Sequence, residues 1–148
     1  MQALSPNSTL QNGKYRIVRV LGQGGFGITY LAEQPLMLNR KVAIKEFFLK
    51  DYFSRNETTA HVTCSTDSTR EMAETYRRKF IKEAQLQLQM HHPNLVDIYD
   101  IFEEHFSLFW SCMCKILTIN DIRKKKPIFS AICNDFTPAF VTILPRRL

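Results

Sequence analysis

The sequence has few cysteines and no long apolar run, and both features argue against a membrane-spanning or a secreted protein. Four cysteines occur in 148 residues, which favours a reduced, cytoplasmic protein. No apolar stretch reaches the about 18 residues that a transmembrane helix needs. The start of the chain also lacks the basic residues and the apolar run of a signal peptide. We therefore expect neither a membrane-spanning segment nor a secretory leader.

Metal-binding patterns are also sparse. Cys112 and Cys114 are separated by one residue, but no second His or Cys pair lies at a suitable spacing. His91 and His92 are adjacent and lack a third ligand, so they are interpreted as loop or capping residues. No metal site is expected.

Basic charge is concentrated near the end of the chain. The net charge is +6, and residues 106–148 contribute 7 basic and 2 acidic residues to it. Their lysine cluster, Lys124–Lys126, has no interleaved aromatic residues and is interpreted as a solvated patch. Neither nucleic acid nor a membrane is expected as a partner.

A glycine-rich stretch is the strongest motif. Gly22, Gly24 and Gly27 form Gly-x-Gly-x-x-Gly, which several unrelated phosphate-binding loops share. In a dinucleotide-binding fold the third glycine opens a helix, but here Ile28–Leu31 follows, which is a poor helix start. The Gly-Lys-Ser/Thr ending of a Walker loop is absent. The pattern therefore predicts a hairpin turn between two strands.

A strand that carries a lysine follows the hairpin. Residues alternate along Lys41–Phe48, so that Ala43, Lys45 and Phe47 share one face. The ammonium group of Lys45 then leaves the sheet on the same side as the small Ala43, where a flat purine could lie.

A glycine hairpin followed by a lysine strand resembles the N-terminal lobe of a protein kinase. The amino-acid sequence of Gly22–Tyr30 is most similar to that of bacterial serine/threonine kinases of the eukaryotic type. Thr29 stands where the kinase pattern has valine, which is also β-branched. The resemblance covers about residues 13–105 and includes the turn His91–Val96.

The clearest helix signal precedes that turn. Ser68–Glu71 fits a capping box, and the helix should end at His91 or His92, before Pro93. Apolar residues recur every four positions and predict one packed stripe. This stripe consists of Tyr76, Phe80, Ala84 and Leu88.

The resemblance implies an ATP site. The hairpin glycines would cover the phosphates, Lys45 would contact the α- and β-phosphates, and Glu83 on the helix would pair with Lys45. Ala43 and Thr29 would lie against the adenine, with Leu21 near its edge. The implied nucleotide-binding residues are Leu21, Gly22, Gly24, Gly25, Phe26, Gly27, Thr29, Ala43 and Lys45, and the implied catalytic residues are Lys45 and Glu83.

The predicted fold is of the α+β class. It is a kinase-like N-lobe with an antiparallel five-stranded sheet and one long helix, and the C-lobe is absent. We predict a flexible tail at 1–12, the lobe at 13–105, and a non-matching tail at 106–148. Phe106–Met113 could pair as a makeshift fifth strand, and Lys50–Asp67 is expected to be a polar, irregular insertion.

The sequence changes character after residue 105. The His-Arg-Asp and Asp-Phe-Gly motifs of the kinase C-lobe are missing from the 148 residues. One hypothesis is a shift of the reading frame near Glu104–Ser107. The resemblance implies a truncated serine/threonine kinase that is inactive alone and would use Mg²⁺ only together with a C-lobe. Two alternatives stay open: a non-catalytic module that docks on a protein partner, and a nonfunctional product of a disrupted gene.

Overall fold

The computed structural model describes residues 2–64, 66–89 and 97–113. The predicted turn His91–Val96, the predicted end of the helix and the residues from 114 onward lie outside these ranges. In chain order the elements are β1 (Thr9–Leu10), β2 (Tyr15–Gln23), β3 (Gly27–Gln34), β4 (Arg40–Phe47), β5 (Phe53–Arg55), β6 (Val62–Cys64), α1 (Asp67–Gln89), β7 (Ile98–Glu104) and β8 (Ser107–Met113).

Six strands form one antiparallel sheet in the order β1-β2-β3-β4-β8-β7, and β5 pairs with β6 separately. The five long strands and the long helix of the predicted fold are present, which confirms the α+β class of a kinase-like N-lobe. The two-residue β1 extends the sheet at its β2 edge.

Strand β8 is an interior strand of this sheet. It lies between β4 and β7 and pairs with both, for example through Trp110, which is opposite Lys45 on one side and Ile101 on the other. Trp110 and Phe109 are buried on opposite faces. The sheet therefore continues past residue 105, to Met113.

Apolar side chains pack on both faces of the sheet. On the face that α1 covers, the buried residues are Phe47, Leu49, Ala73, Phe80, Ala84, Ile98, Leu108, Trp110 and Cys112. On the outer face they are Leu4, Leu10, Tyr15, Ile17, Ile28, Tyr30, Ala32, Val42, Ile44, Phe48, Val62, Phe102 and Phe109. Strand β4 contributes to both, because alternate side chains point to opposite faces.

Two segments cover the outer face. Leu4 and Leu10 are buried there, although residues 1–12 were expected to form a flexible tail. The insertion at 50–67 is not irregular as predicted, because β5 and β6 form a hairpin within it. Val62 of this hairpin is buried against the same core. The polar composition of the insertion gave no sign of these contacts.

The predicted helix is present, but its start differs from the expected capping box. The amide of Thr66 donates to Oγ1 of Thr69 at 3.0 Å, and the amide of Thr69 donates to Oγ1 of Thr66 at 3.4 Å. Each hydroxyl thus satisfies an amide at the helix start. The cap lies at Thr66 and Thr69 rather than at Ser68 and Glu71, because the helix begins at Asp67.

The packed stripe of α1 also differs at one end. Phe80 and Ala84 are buried as predicted, but Leu88 is 43% exposed and Gln87 is buried instead. A strict four-residue spacing drifts around a helix that has 3.6 residues per turn, so the next buried position falls three residues after Ala84. Of the helices in the described part of the chain, none combines the length and the apolar composition that a membrane crossing requires.

Candidate functional site

Three neighbouring strands place the site residues on the face that α1 covers. Lys45 of β4 lies opposite Thr29 of β3 and Trp110 of β8. Side chains directly opposite each other in an antiparallel sheet point to the same face. The same register places Ala43 opposite Leu31 and Cys112, one step further along that face.

Lys45 meets Glu83 across this face. Its Nζ donates to Oε1 of Glu83 at 3.1 Å and to Oε2 at 3.4 Å, although the two residues are 38 positions apart in the sequence. Their side chains are only 9% and 13% exposed. Such a shielded pair interacts more strongly than a surface ion pair, because water screens it less.

The helix brings Glu83 to this position through its packing. Phe80 and Ala84 bury their side chains against the sheet and so fix the rotation of α1. Glu83 lies between them in the sequence, at the border of the packed stripe, and reaches Lys45 from there. The predicted pair is therefore assembled by the apolar stripe that the sequence revealed.

Two aromatic rings enclose the ammonium group of Lys45. Its Nζ lies 5.3 Å from the ring centroid of Trp110 and 5.5 Å from that of Phe80. Both distances are within the range of cation–π attraction. Trp110 was not predicted from the sequence to be a site residue. Its only signal was a position within an apolar stretch that can form a strand.

The glycine hairpin joins β2 to β3 and packs closely against β4. A Cβ atom at Gly27 would lie 2.7 Å from the carbonyl oxygen of Glu46, so the backbones approach more closely than any side chain allows. The amide of Gly24 donates to the carbonyl of Gly27 at 2.9 Å and closes the turn. A Cβ atom at Gly25, in contrast, would meet no atom within 4 Å.

Phe26 at the tip of the hairpin contacts both the sheet and the helix. Its carbonyl accepts from the amide of Phe48 at 3.3 Å, and its ring lies 5.0 Å from that of Tyr76 on α1. Gly25 adds a second backbone bond, because its carbonyl accepts from the amide of Lys50 at 3.1 Å. The hairpin is thus held close to the Lys45 strand.

Leu21 and Gly22 lie at the other end of the hairpin. The pairing of β2 with β3 shifts between Val20 and Gly22, which places Leu21 at an irregularity of the strand. Gly22 pairs with Thr29. The structure thus aligns Gly22, Thr29 and Lys45 across adjacent strands.

The donor set of this site suits a phosphate chain. An ammonium group, backbone amides of a glycine hairpin and a closely packed backbone are the groups that hold nucleotide phosphates in general. Within residues 2–64, 66–89 and 97–113, no three His, Cys, Asp or Glu side chains are arranged to hold a metal ion.

Curated proteins that are similar to this chain include bacterial serine/threonine-protein kinases. No protein-family model matches the chain. The serine/threonine-protein kinase PrkC of Bacillus subtilis is 39% identical over 93 residues, which are 63% of this chain and 11% of PrkC. The kinase pkn2 of Myxococcus xanthus is 36% identical over 100 residues, which are 68% of this chain and 10% of pkn2. The chain thus spans about a tenth of the length of these relatives.

A solved structure also shares the fold. The apo form of PpkA-294 superposes with a TM-score of 0.72 at 23% sequence identity, covering 87% of this chain and 45% of that one. The arrangement of strands and helix is therefore one that is known from a solved structure.

Proposed function

We propose, from the similarity of 93 and 100 residues of this chain to two bacterial serine/threonine-protein kinases, that this chain is the ATP-binding lobe of such a kinase. The observation that carries the proposal is the shielded contact of Lys45 with Glu83 beside a glycine hairpin. The reaction of the family moves the γ-phosphoryl group of Mg-ATP to a protein hydroxyl. Because ATP is the proposed ligand, we place the lobe in the cytoplasm.

Each site residue has one role in this proposal. Gly22, Gly24 and Gly27 let the hairpin backbone cover the phosphates, with Gly25 and Phe26 at its tip. Lys45 neutralises the α- and β-phosphates, and Glu83 holds the lysine in place. The adenine lies against Ala43 and Thr29, and Leu21 borders it.

We do not propose that these 148 residues alone catalyse phosphoryl transfer. Phosphoryl transfer depends on positioning and on neutralisation of charge by Mg²⁺. The residues for the metal and for the substrate hydroxyl belong to motifs that this sequence lacks. We therefore expect weak ATP binding, no efficient phosphoryl transfer, and a need for Mg²⁺ only when a C-lobe is supplied.

Binding of a fluorescent ATP analogue tests the proposal. The sole tryptophan, Trp110, lies beside Lys45 and can transfer energy to a methylanthraniloyl-ATP bound there. Lys45→Met should weaken binding by about tenfold or more, because it removes a charge-assisted contact to phosphate. Lys41→Met is the matched control, since Lys41 is on the same strand but pairs with Glu33 at the surface. Equal binding by Lys45→Met and the wild type would refute the proposal.

A second candidate, a docking module, is supported by one observation. Leu86 and Leu88 on α1 are 42% and 43% exposed, which leaves two accessible apolar side chains on different sides of the helix near its described end. A module of this kind would bind an intact kinase without needing Lys45. Partner binding that survives Lys45→Met but fails in Leu86→Glu would favour docking over an ATP-dependent role.

The third possibility, a nonfunctional product, is tested by the fold and by the gene. A cooperative thermal transition in circular dichroism would contradict a marginally folded product. Sequencing the coding DNA from Leu95 past the stop codon tests whether the reading frame has shifted. If another frame restores His-Arg-Asp and Asp-Phe-Gly, residues 106–148 include the product of a frameshift.

A further inference from the structure

A buried ion pair lies directly behind the candidate site. Glu46 follows Lys45 on β4 and therefore points to the opposite, outer face of the sheet. There it pairs with Arg55 of the hairpin β5–β6, and the two side chains are 0% and 3% exposed. Tyr30 also donates to Glu46, at 2.7 Å. The candidate ATP site does not use any of these three side chains.

The guanidinium group of Arg55 connects three segments. It donates to the carboxylate of Glu46, to the carbonyl of Gln2 at 2.8 Å and to the carbonyl of Ala60 at 2.8 Å. It also lies over the ring of Phe48, 5.3 Å from its centroid. A buried charge is tolerated only when it is paired and hydrogen-bonded. This arrangement therefore specifies one position of the hairpin on the sheet.

The hairpin leads directly into the helix that carries Glu83. Strand β6 ends at Cys64, whose Sγ lies 3.2 Å from Oγ1 of Thr69 in the first turn of α1. The amide of Val62 donates to the carbonyl of His105 at 2.9 Å, which ties the same hairpin to the β7–β8 turn. The hairpin thus links the strand of Lys45 to the start of α1.

We propose that Arg55 is a positioning residue: by anchoring the hairpin β5–β6 to Glu46, it fixes the start of α1 and keeps Glu83 within reach of Lys45. The importance of this for nucleotide binding rests on the proposed function, whereas the link between the two ion pairs does not. Loss of the anchor gives α1 freedom to move away from β4. The contact between Lys45 and Glu83 then opens while the sheet stays folded.

Chemical modification of the full 148-residue chain can detect this opening without any nucleotide. Lys45 is shielded by Glu83 and the two aromatic rings, so an amine-acylating reagent should modify it slowly, as measured by mass spectrometry of its peptide. A cooperative thermal transition in circular dichroism reports whether each variant is still folded at the temperature of the acylation. The variants are Arg55→Met and the double variant Glu46→Gln/Arg55→Met, which leaves no orphaned buried charge. Arg16→Met is the matched control, because Arg16 pairs with Glu33 at the surface of the same sheet.

We expect Lys45 to be acylated about fivefold faster or more in both Arg55 variants, while both variants remain folded and Arg16→Met is unchanged. Equal acylation rates in the wild type and the double variant would overturn the proposal. It would also be overturned if Lys45 became reactive in the double variant only at temperatures where that variant unfolds, since Arg55 would then only stabilise the fold. If Arg55→Met alone unfolds, the double variant decides. A failure of ATP binding would not affect this result.

Discussion

Trp110 and Lys45 are direct partners across two adjacent strands, and the ammonium group of Lys45 lies 5.3 Å from the centre of the indole ring. The tryptophan therefore forms one wall of the site. It also belongs to the segment after residue 105, which the sequence assigned to a non-matching tail. The strand Ser107–Met113 lies between β4 and the edge strand β7, so the fold and the site depend on it.

The first prediction concerns this wall. Trp110→Ala should lower the free energy of unfolding by about 3–5 kcal/mol, because it leaves a large cavity between β8 and Phe80. Trp110→Phe should cost roughly half as much, since a ring remains beside Lys45. Urea denaturation followed by circular dichroism measures both. Equal, small losses in the two variants would mean that β8 does not pack in the core.

The second prediction uses two glycines of the hairpin as a matched pair. Gly27→Ala should destabilise the protein by about 1–3 kcal/mol, because its methyl group would meet the carbonyl oxygen of Glu46 and force the backbones apart. Gly25→Ala should change stability by less than about 0.5 kcal/mol, since a Cβ atom there meets nothing within 4 Å.

Nucleotide binding should separate this pair as well. Gly27→Ala moves the hairpin away from the Lys45 strand, so binding of the fluorescent ATP analogue should weaken. Gly25→Ala should retain more of that binding. Identical thermal melting of the two variants would contradict the close approach of Gly27 to β4.

The third prediction distinguishes the observed helix cap from the expected one. Thr66→Ala should cost about 1 kcal/mol of unfolding free energy, because it removes the hydroxyl that accepts from the amide of Thr69. Ser68→Ala should have little effect, since Ser68 is exposed within the first turn. Thermal melting of both variants checks this. A larger loss in Ser68→Ala would restore the capping box read from the sequence.

The pairing of Lys45 with Glu83 could be predicted because both residues lie in strong local patterns. An alternating strand fixes the face of the lysine, and an apolar stripe fixes the rotation of the helix. The glycine spacing predicts the hairpin that precedes both of these elements. These are short-range regularities, and the family resemblance connects them over a separation of 38 positions.

The hairpin β5–β6 and its anchor could not be predicted in this way. The insertion is polar, and polar composition usually indicates a solvated loop. Arg55 and Glu46 are buried only because each satisfies the charge of the other, which is a tertiary relationship with no sequence period. The role of Trp110 in the site was missed for a similar reason, because an apolar run does not reveal which two strands will flank it in the sheet.

The last prediction is a dependence of stability on alkaline pH. Burial, and then the neighbouring Glu46, raise the pKa of Tyr30 well above its usual value of 10.0. In the unfolded chain Tyr30 ionises near that value, whereas in the folded protein it stays protonated. The folded state therefore binds this proton more tightly, and the stability present below pH 10 is lost as the pH rises above it.

Tyr30→Phe tests this dependence. The variant should lose about 1 kcal/mol at neutral pH, because Glu46 loses a hydrogen bond, but its stability should fall less steeply above about pH 9. Burial also raises the pKa of Tyr15, so part of the loss of stability at alkaline pH remains in both the wild type and Tyr30→Phe. The control is Tyr52→Phe, at a more exposed position. If the two variants decline with the same slope in urea titrations, the proton of Tyr30 does not couple to folding. A shallower slope in Tyr30→Phe alone would show that water is excluded from the outer face around Glu46. Under that condition Arg55 can hold the hairpin β5–β6 in one position.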